Sequence, residues 1–174
     1  GDTGWLNAPA TVGIVGTRKP TEYGLRAAED IGRGLAKAGA VIVSGLAEGL
    51  DSAGHRAALC ERSPTIGILG IPIDRTYPTI NRPLRKEIES NGCIISEYPP
   101  KSEPLGKYGF LQRNRLIAAL SAAVVVVEAK EKWCMLSWYD GLDDLSPMPP
   151  AITDIVCKYE MQSKEVCMMC GRSK

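Results

Sequence analysis

Two loops gather the residues able to handle a phosphate. The first is Gly13-Ile14-Val15-Gly16-Thr17-Arg18-Lys19-Pro20-Thr21-Glu22-Tyr23-Gly24, which joins an apolar run to a helix-like stretch. Gly16 permits close backbone approach, Thr17 and Thr21 bring hydroxyls, and Arg18 and Lys19 bring charge. The helix that follows would add N–H groups and a partial positive charge, both favouring an anion. The second loop is Phe110-Leu111-Gln112-Arg113-Asn114-Arg115, with Lys107 upstream. Arg113 and Arg115 are expected in the first turn of a short helix, where cations oppose the helix dipole and so point to a ligand. Arginine suits bidentate phosphate contact, and Phe110 can stack on an unpaired base. A solvated arginine, or a salt bridge to Glu97 or Glu128, is the alternative.

Two further loops are less specific. Ser44-Gly45-Leu46-Ala47-Glu48-Gly49-Leu50-Asp51 is glycine-rich and feeds a helix with Asp51 as expected N-cap. His55, the sole histidine, lies four residues on, so a general-base role competes with local packing. Packing is favoured, because no nucleophile with an orienting partner is evident. Glu97, after the fourth strand, could face the same slot or be structural. Gly70-Ile71-Pro72-Ile73-Asp74-Arg75-Thr76-Tyr77-Pro78 leads to Asn81, an expected helix cap; whether this loop serves ligand or packing is open from residues alone. A dinucleotide fold would need G-x-G-x-x-G and an acidic residue ending strand two. The chain has Gly13-x-x-Gly16 and Val43-Ser44-Gly45, which disfavours a nicotinamide oxidoreductase.

The elements that must position these loops alternate regularly. Continuous apolar runs at 11–16, 40–44, 65–69, 93–96 and 122–128 predict strands covered on both faces. Helices are expected at 24–38, 51–61, 81–91 and 113–121, the first with Leu25, Ala28, Ile31 and Leu35 on one stripe. Strand–helix alternation of this kind predicts a three-layer, doubly wound α/β domain with a mainly parallel sheet. The carboxyl edge of such a sheet would bring the loops together.

Bulk properties constrain less. The 174 residues suffice for one core, and the net charge is +1, so any basic footprint is local. No secretory signal or membrane-length apolar run is present, and six scattered cysteines suggest reduced thiols in a cytoplasm. The chain opens Gly1-Asp2-Thr3-Gly4 without a Met, which suggests an excised domain. Residues 130–174 lack a clear period and are expected to be a divergent, partly disordered tail beyond a domain at 1–129. Cys167-x-x-Cys170 with Cys157, and Cys134 as a fourth, forms a weak zinc alternative; no metal or cofactor is otherwise expected.

Six segments in order resemble the DprA/Smf family of DNA-processing proteins. They are Val15-Gly16-Thr17-Arg18-Lys19-Pro20-Thr21-x-Tyr23-Gly24, Ser44-Gly45-Leu46-Ala47-x-Gly49-x-Asp51-x-x-x-His55 and Asp74-x-x-Tyr77-Pro78-x-x-Asn81-x-x-Leu84. Ser96-Glu97-Tyr98-Pro99-Pro100, Phe110-x-x-Arg113-Asn114-Arg115-x-Ile117-Ala118 and residues 124–129 complete the series. The resemblance implies an extended Rossmann-like domain that dimerises, binds single-stranded DNA and loads the RecA recombinase during natural transformation, without enzymatic activity. It implies that Thr17, Arg18 and Lys19 hold phosphates with Gly45, Arg113 and Arg115, that Phe110 touches a base, and that Lys107 lies at the rim. Gly16, Thr21 and Asn114 complete the expected site. Related phosphoribohydrolases of the LOG type give the alternative, a nucleotide sensor or a nucleoside-monophosphate hydrolase, but their Pro-Gly-Gly-x-Gly-Thr-x-x-Glu signature is absent. Residues beyond 129 depart from the family's last helix and strand.

Overall fold

A computed structural model describes residues 1–129. Five strands alternate with four helices: β1 (Thr11–Val15), α1 (Glu22–Lys37), β2 (Val41–Ser44), α2 (Leu50–Cys60), β3 (Thr65–Leu69), α3 (Arg82–Asn91), β4 (Cys93–Ser96), α4 (Lys107–Ala119) and β5 (Ala123–Val126). The sheet is parallel throughout, in the order β4-β3-β2-β1-β5. The doubly wound α/β expectation is met.

The strands carry apolar residues on both faces, and each face has its own helical cover. Val12, Ile14 and Ile42 pack with Ile31 and Leu35 of α1 and Ala58 of α2. Val41, Val43, Ile66 and Ile68 face the other way, onto Ile117 of α4. Leu69, Ile71 and Leu46 meet Leu84 and Ile88 of α3. Burying aliphatic side chains on this scale is the main stabilising term for a sheet between helical layers. The α1 stripe is narrower than expected, because Leu25 is 37% exposed while Ala28, Ile31 and Leu35 are buried.

The chain steps from β1 to β4 in one direction, then returns so that β5 pairs with the opposite side of β1. Val12 lies opposite Ala123, and Val15 opposite Val126. Direction therefore reverses between β1 and β5, the place where open α/β sheets form a crevice at their carboxyl ends. The loops after β1, β2 and β3 open at that edge, and so does the start of α4.

The largest departure from expectation is α4. It begins at Lys107 rather than Arg113, so Arg113 and Arg115 lie well inside it and Lys107 is the first-turn cation. The helix runs through Gly109 because that residue lies against Gly70: a Cβ at either position would strike the other's backbone. Glycine here permits a helix to rest directly on the loop after β3.

Candidate nucleic-acid interface

The first loop is folded onto β5 rather than left open. Thr17 N–H donates to the Glu128 carbonyl at 2.8 Å, and Lys19 N–H to Thr17 Oγ1 at 3.2 Å. Thr21 donates to Glu128 Oε2 from its N–H at 3.0 Å and its hydroxyl at 2.8 Å, while Thr21 Oγ1 accepts from Gly24 N–H as the cap of α1. The anion expected at the α1 N-terminus is thus the protein's own Glu128 carboxylate. This corrects the picture of a backbone cradle for phosphate: the Thr17, Lys19 and Thr21 amides are already satisfied, and Gly16 packs against Leu50 and the Glu128 carbonyl. What the loop projects outward is the exposed pair Arg18 and Lys19.

The second loop is also self-contained. Asp51 does not cap α2, whose N-cap is Gly49. Its buried carboxylate instead accepts from Gly45 N–H at 3.1 Å and Ala47 N–H at 3.4 Å, closing the loop over itself. Burial raises the Asp51 pKa, while the Arg113 charge and the loop amides pull it back. Asn81 does stand at the N-cap position of α3, but its side chain makes no cap bond; its Nδ2 donates to the Leu46 carbonyl at 3.0 Å and to Ser52 Oγ at 2.9 Å, tying the third loop to the second.

Arg113 is not a solvent-facing grip. Only 4% exposed, it passes beneath Gly45 and donates from Nη1 to the Ile68 carbonyl at 2.6 Å. A Cβ at Gly45 would overlap its guanidinium. Burial lowers the Arg113 pKa, Asp51 raises it, and Arg18 lowers it again, so this cation lies between the carboxylate below and the cleft above. Arg115 points elsewhere and forms an ion pair with Glu97. Asn114 is exposed and does not line the cleft.

Arg18, Gly45, Ala47, Glu48, Tyr77, Pro78 and Phe110 do meet, around a cleft of ≈ 60 Å³. That is well below the roughly 300–1,000 Å³ of a pocket that encloses a small ligand. The Arg18 guanidinium lies over the Phe110 ring, Cζ 5.5 Å from its centroid. Tyr77 packs on the same ring, centroids 5.5 Å apart and tilted by 42°. Lys107, three residues before Phe110, is exposed on the same side of α4. The Glu48 carboxylate is the one acidic group in the lining. Tyr77 was not among the expected site residues; its only signal was the Asp74-x-x-Tyr77-Pro78 segment.

A model of the DNA recombination-mediator protein A family matches residues 1–136. The chain belongs to that family. It is 48% identical over 121 residues to Protein Smf of Synechocystis sp., covering 70% of this chain and 30% of that protein. It is 39% identical over 144 residues to the DNA processing protein DprA of Bacillus subtilis, covering 82% of this chain and 48% of that one. The chain thus spans less than half of these two relatives. A solved structure of DNA processing protein A from Helicobacter pylori, described as having a unique single-stranded DNA binding mode, superposes with a TM-score of 0.70 at 43% identity. The match covers 76% of this chain and 60% of that one. DprA from Streptococcus pneumoniae gives a TM-score of 0.66 at 32% identity, over 95% of this chain and 51% of that one.

Within this family fold, the carboxylate and imidazole weighed for catalysis have other partners. His55 is fully buried, and its Nδ1 lies 2.7 Å from Thr65 Oγ1, whose hydroxyl donates to the Ile42 carbonyl at 2.7 Å. Thr65 must then accept from Nδ1–H, leaving Nε2 unprotonated. Burial, followed by the Arg113 charge, lowers the His55 pKa to about 3. Among the described residues no group of three or more His, Cys, Asp or Glu side chains converges as a metal site. Cys134, Cys157, Cys167 and Cys170 lie outside those residues, as does the expected divergent tail.

Proposed function

We propose that this domain binds single-stranded DNA without base specificity, as the DNA-binding part of a recombination mediator. Arg18, Lys19 and Lys107 hold backbone phosphates through their side chains, and Phe110 carries an unpaired base. Gly45 and Arg113 form the floor, with Arg113 adding positive potential from below. Gly16, Thr17 and Thr21 shape the loop that presents Arg18, while Asn114 and Arg115 flank the groove at a distance.

The observation that carries this proposal is the stacking of Arg18 on Phe110 in a shallow, open cleft. A guanidinium lying on an aromatic ring brings a phosphate contact and a surface for an unpaired base to one place. The solved Helicobacter pylori relative, described by its single-stranded DNA binding mode, supports the same reading. By family membership we further propose a homodimer that delivers the strand to the RecA recombinase in the cytoplasm during DNA uptake, without catalysing a reaction itself.

Titration against labelled oligothymidine and duplex DNA at two salt concentrations tests the proposal. Arg18→Ala and Lys19→Ala should each weaken binding for all sequences alike. Each should reduce the slope of log affinity against log salt by about 0.7. Equal affinity of Lys19→Ala and the parent at moderate salt would overturn it.

A further inference from the structure

We propose that Glu48 is an electrostatic counterweight in this domain: a fixed carboxylate beside Arg18 that weakens the hold on phosphate and so sets how readily a strand is released. The inference rests on the single-stranded DNA reading and adds a residue that acts against binding, opposite to those already assigned.

Glu48 is exposed and shares the cleft lining with Arg18. A carboxylate is the wrong group for a phosphate site, since the two repel and both only accept hydrogen bonds. A position that breaks a local rule without structural return points to function. No such return is found here. No ion pair among the described residues includes Glu48. It precedes Gly49, the N-cap of α2, and Asp51 already places a carboxylate in the first turn of that helix.

The backbone on either side keeps the residue in place. Ala47 N–H donates to Asp51 Oδ2, and the Ala47 carbonyl accepts from Ser52 Oγ. Leu46 is fully buried in a left-handed conformation, φ 56°, with Asn81 bonded to its carbonyl. Gly49, at φ 79°, lies so close to the first loop that a Cβ there would strike the Thr17 and Arg18 backbone. Leu50 N–H donates to the Thr17 carbonyl at 3.3 Å. Glu48 is thus held between a tethered alanine and a glycine resting on Arg18. Its backbone cannot drift from the loop that meets phosphate. The Arg18 guanidinium lies over Phe110 instead of pairing with Glu48, so each charge still acts on an incoming phosphate, with opposite sign.

The test measures the affinity of the full chain for oligothymidine at two salt concentrations. Glu48→Gln, which keeps the size of the side chain and removes its charge, should bind about threefold more tightly at low salt. The gain should shrink at high salt, where screening already mutes the carboxylate. Glu48→Lys should gain more and steepen the slope of log affinity against log salt by about 0.7. In an Arg18→Ala background the gain from Glu48→Gln should fall, because Arg18 holds the phosphate that Glu48 opposes. Unchanged or weaker binding by Glu48→Gln, or a gain that salt leaves untouched, would overturn the inference and leave the single-stranded DNA reading intact. Failure of the parent to bind oligothymidine would overturn that reading itself.

Discussion

The Glu128 carboxylate accepts two hydrogen bonds from Thr21, across 107 residues of sequence, at the N-terminus of α1. A strand-end carboxylate thereby fills the position that helix electrostatics reserve for an anion. In the proposed function DNA phosphate therefore meets the exposed side chains of Arg18 and Lys19, one step further out.

Removing that carboxylate should loosen the first loop. Glu128→Ala is expected to cost about 1–3 kcal/mol, the range for a lost hydrogen bond to a charged group, measured by urea denaturation. Glu128→Gln retains an acceptor oxygen and should cost less. Equal losses for both would assign the effect to packing.

Gly45→Ala should destabilise the domain through the Arg113 side chain. Its Cβ would displace the Arg113 guanidinium, break the bond to Ile68 and separate the cation from Asp51. Leaving that buried carbonyl without its donor costs about 1–3 kcal/mol. A melting temperature within about 2 °C of the parent would show that Arg113 can move aside.

Arg113 and Arg115 should differ in their response to substitution. Arg113→Met removes the donor to the buried Ile68 carbonyl and the cation near Asp51, and should cost about 1–3 kcal/mol. Arg115→Ala breaks only an exposed ion pair with Glu97, and should change stability by less than about 1 kcal/mol and DNA affinity little. Chemical denaturation of both variants, with DNA titration of the second, checks the pair.

His55 predicts a pH dependence of stability. Its pKa falls from 6.5 unfolded to about 3 folded, so below 6.5 the unfolded chain binds the extra proton. The stability from the neutral imidazole is therefore present above pH 6.5 and is lost as pH falls towards 3. From about pH 7 to about pH 5 the loss should approach about 2 kcal/mol. His55→Gln should remove that slope; an unchanged slope would place the titration elsewhere.

Much of this architecture was legible in residue order. The run Val124-Val125-Val126-Val127 and the glycine-bounded helices set the strand–helix alternation, and Arg18, Lys19 and Phe110 stood out as chemistry without an obvious structural use. The rest depended on partners remote in sequence. Nothing near Arg113 announced that its acceptor would be Ile68, or that Asp51 would turn back to Gly45 instead of capping α2. The early start of α4 was hidden because Gly109 looks like a helix breaker until Gly70 is seen against it. Tyr77 was passed over for a related reason: its loop reads as a rigid turn, and only the meeting with Phe110 shows what the turn presents.

The pairing of β1 with β5 also sets an order of assembly. The loop that carries Arg18 is held by the bonds from Thr17 and Thr21 to Glu128, near the last of the described residues. Before β5 is in place, Tyr77 and Phe110 can already meet through β3 and α4, but the loop carrying Arg18 lacks its tie to Glu128. The first loop therefore takes its final shape only when the fifth strand pairs beside the first.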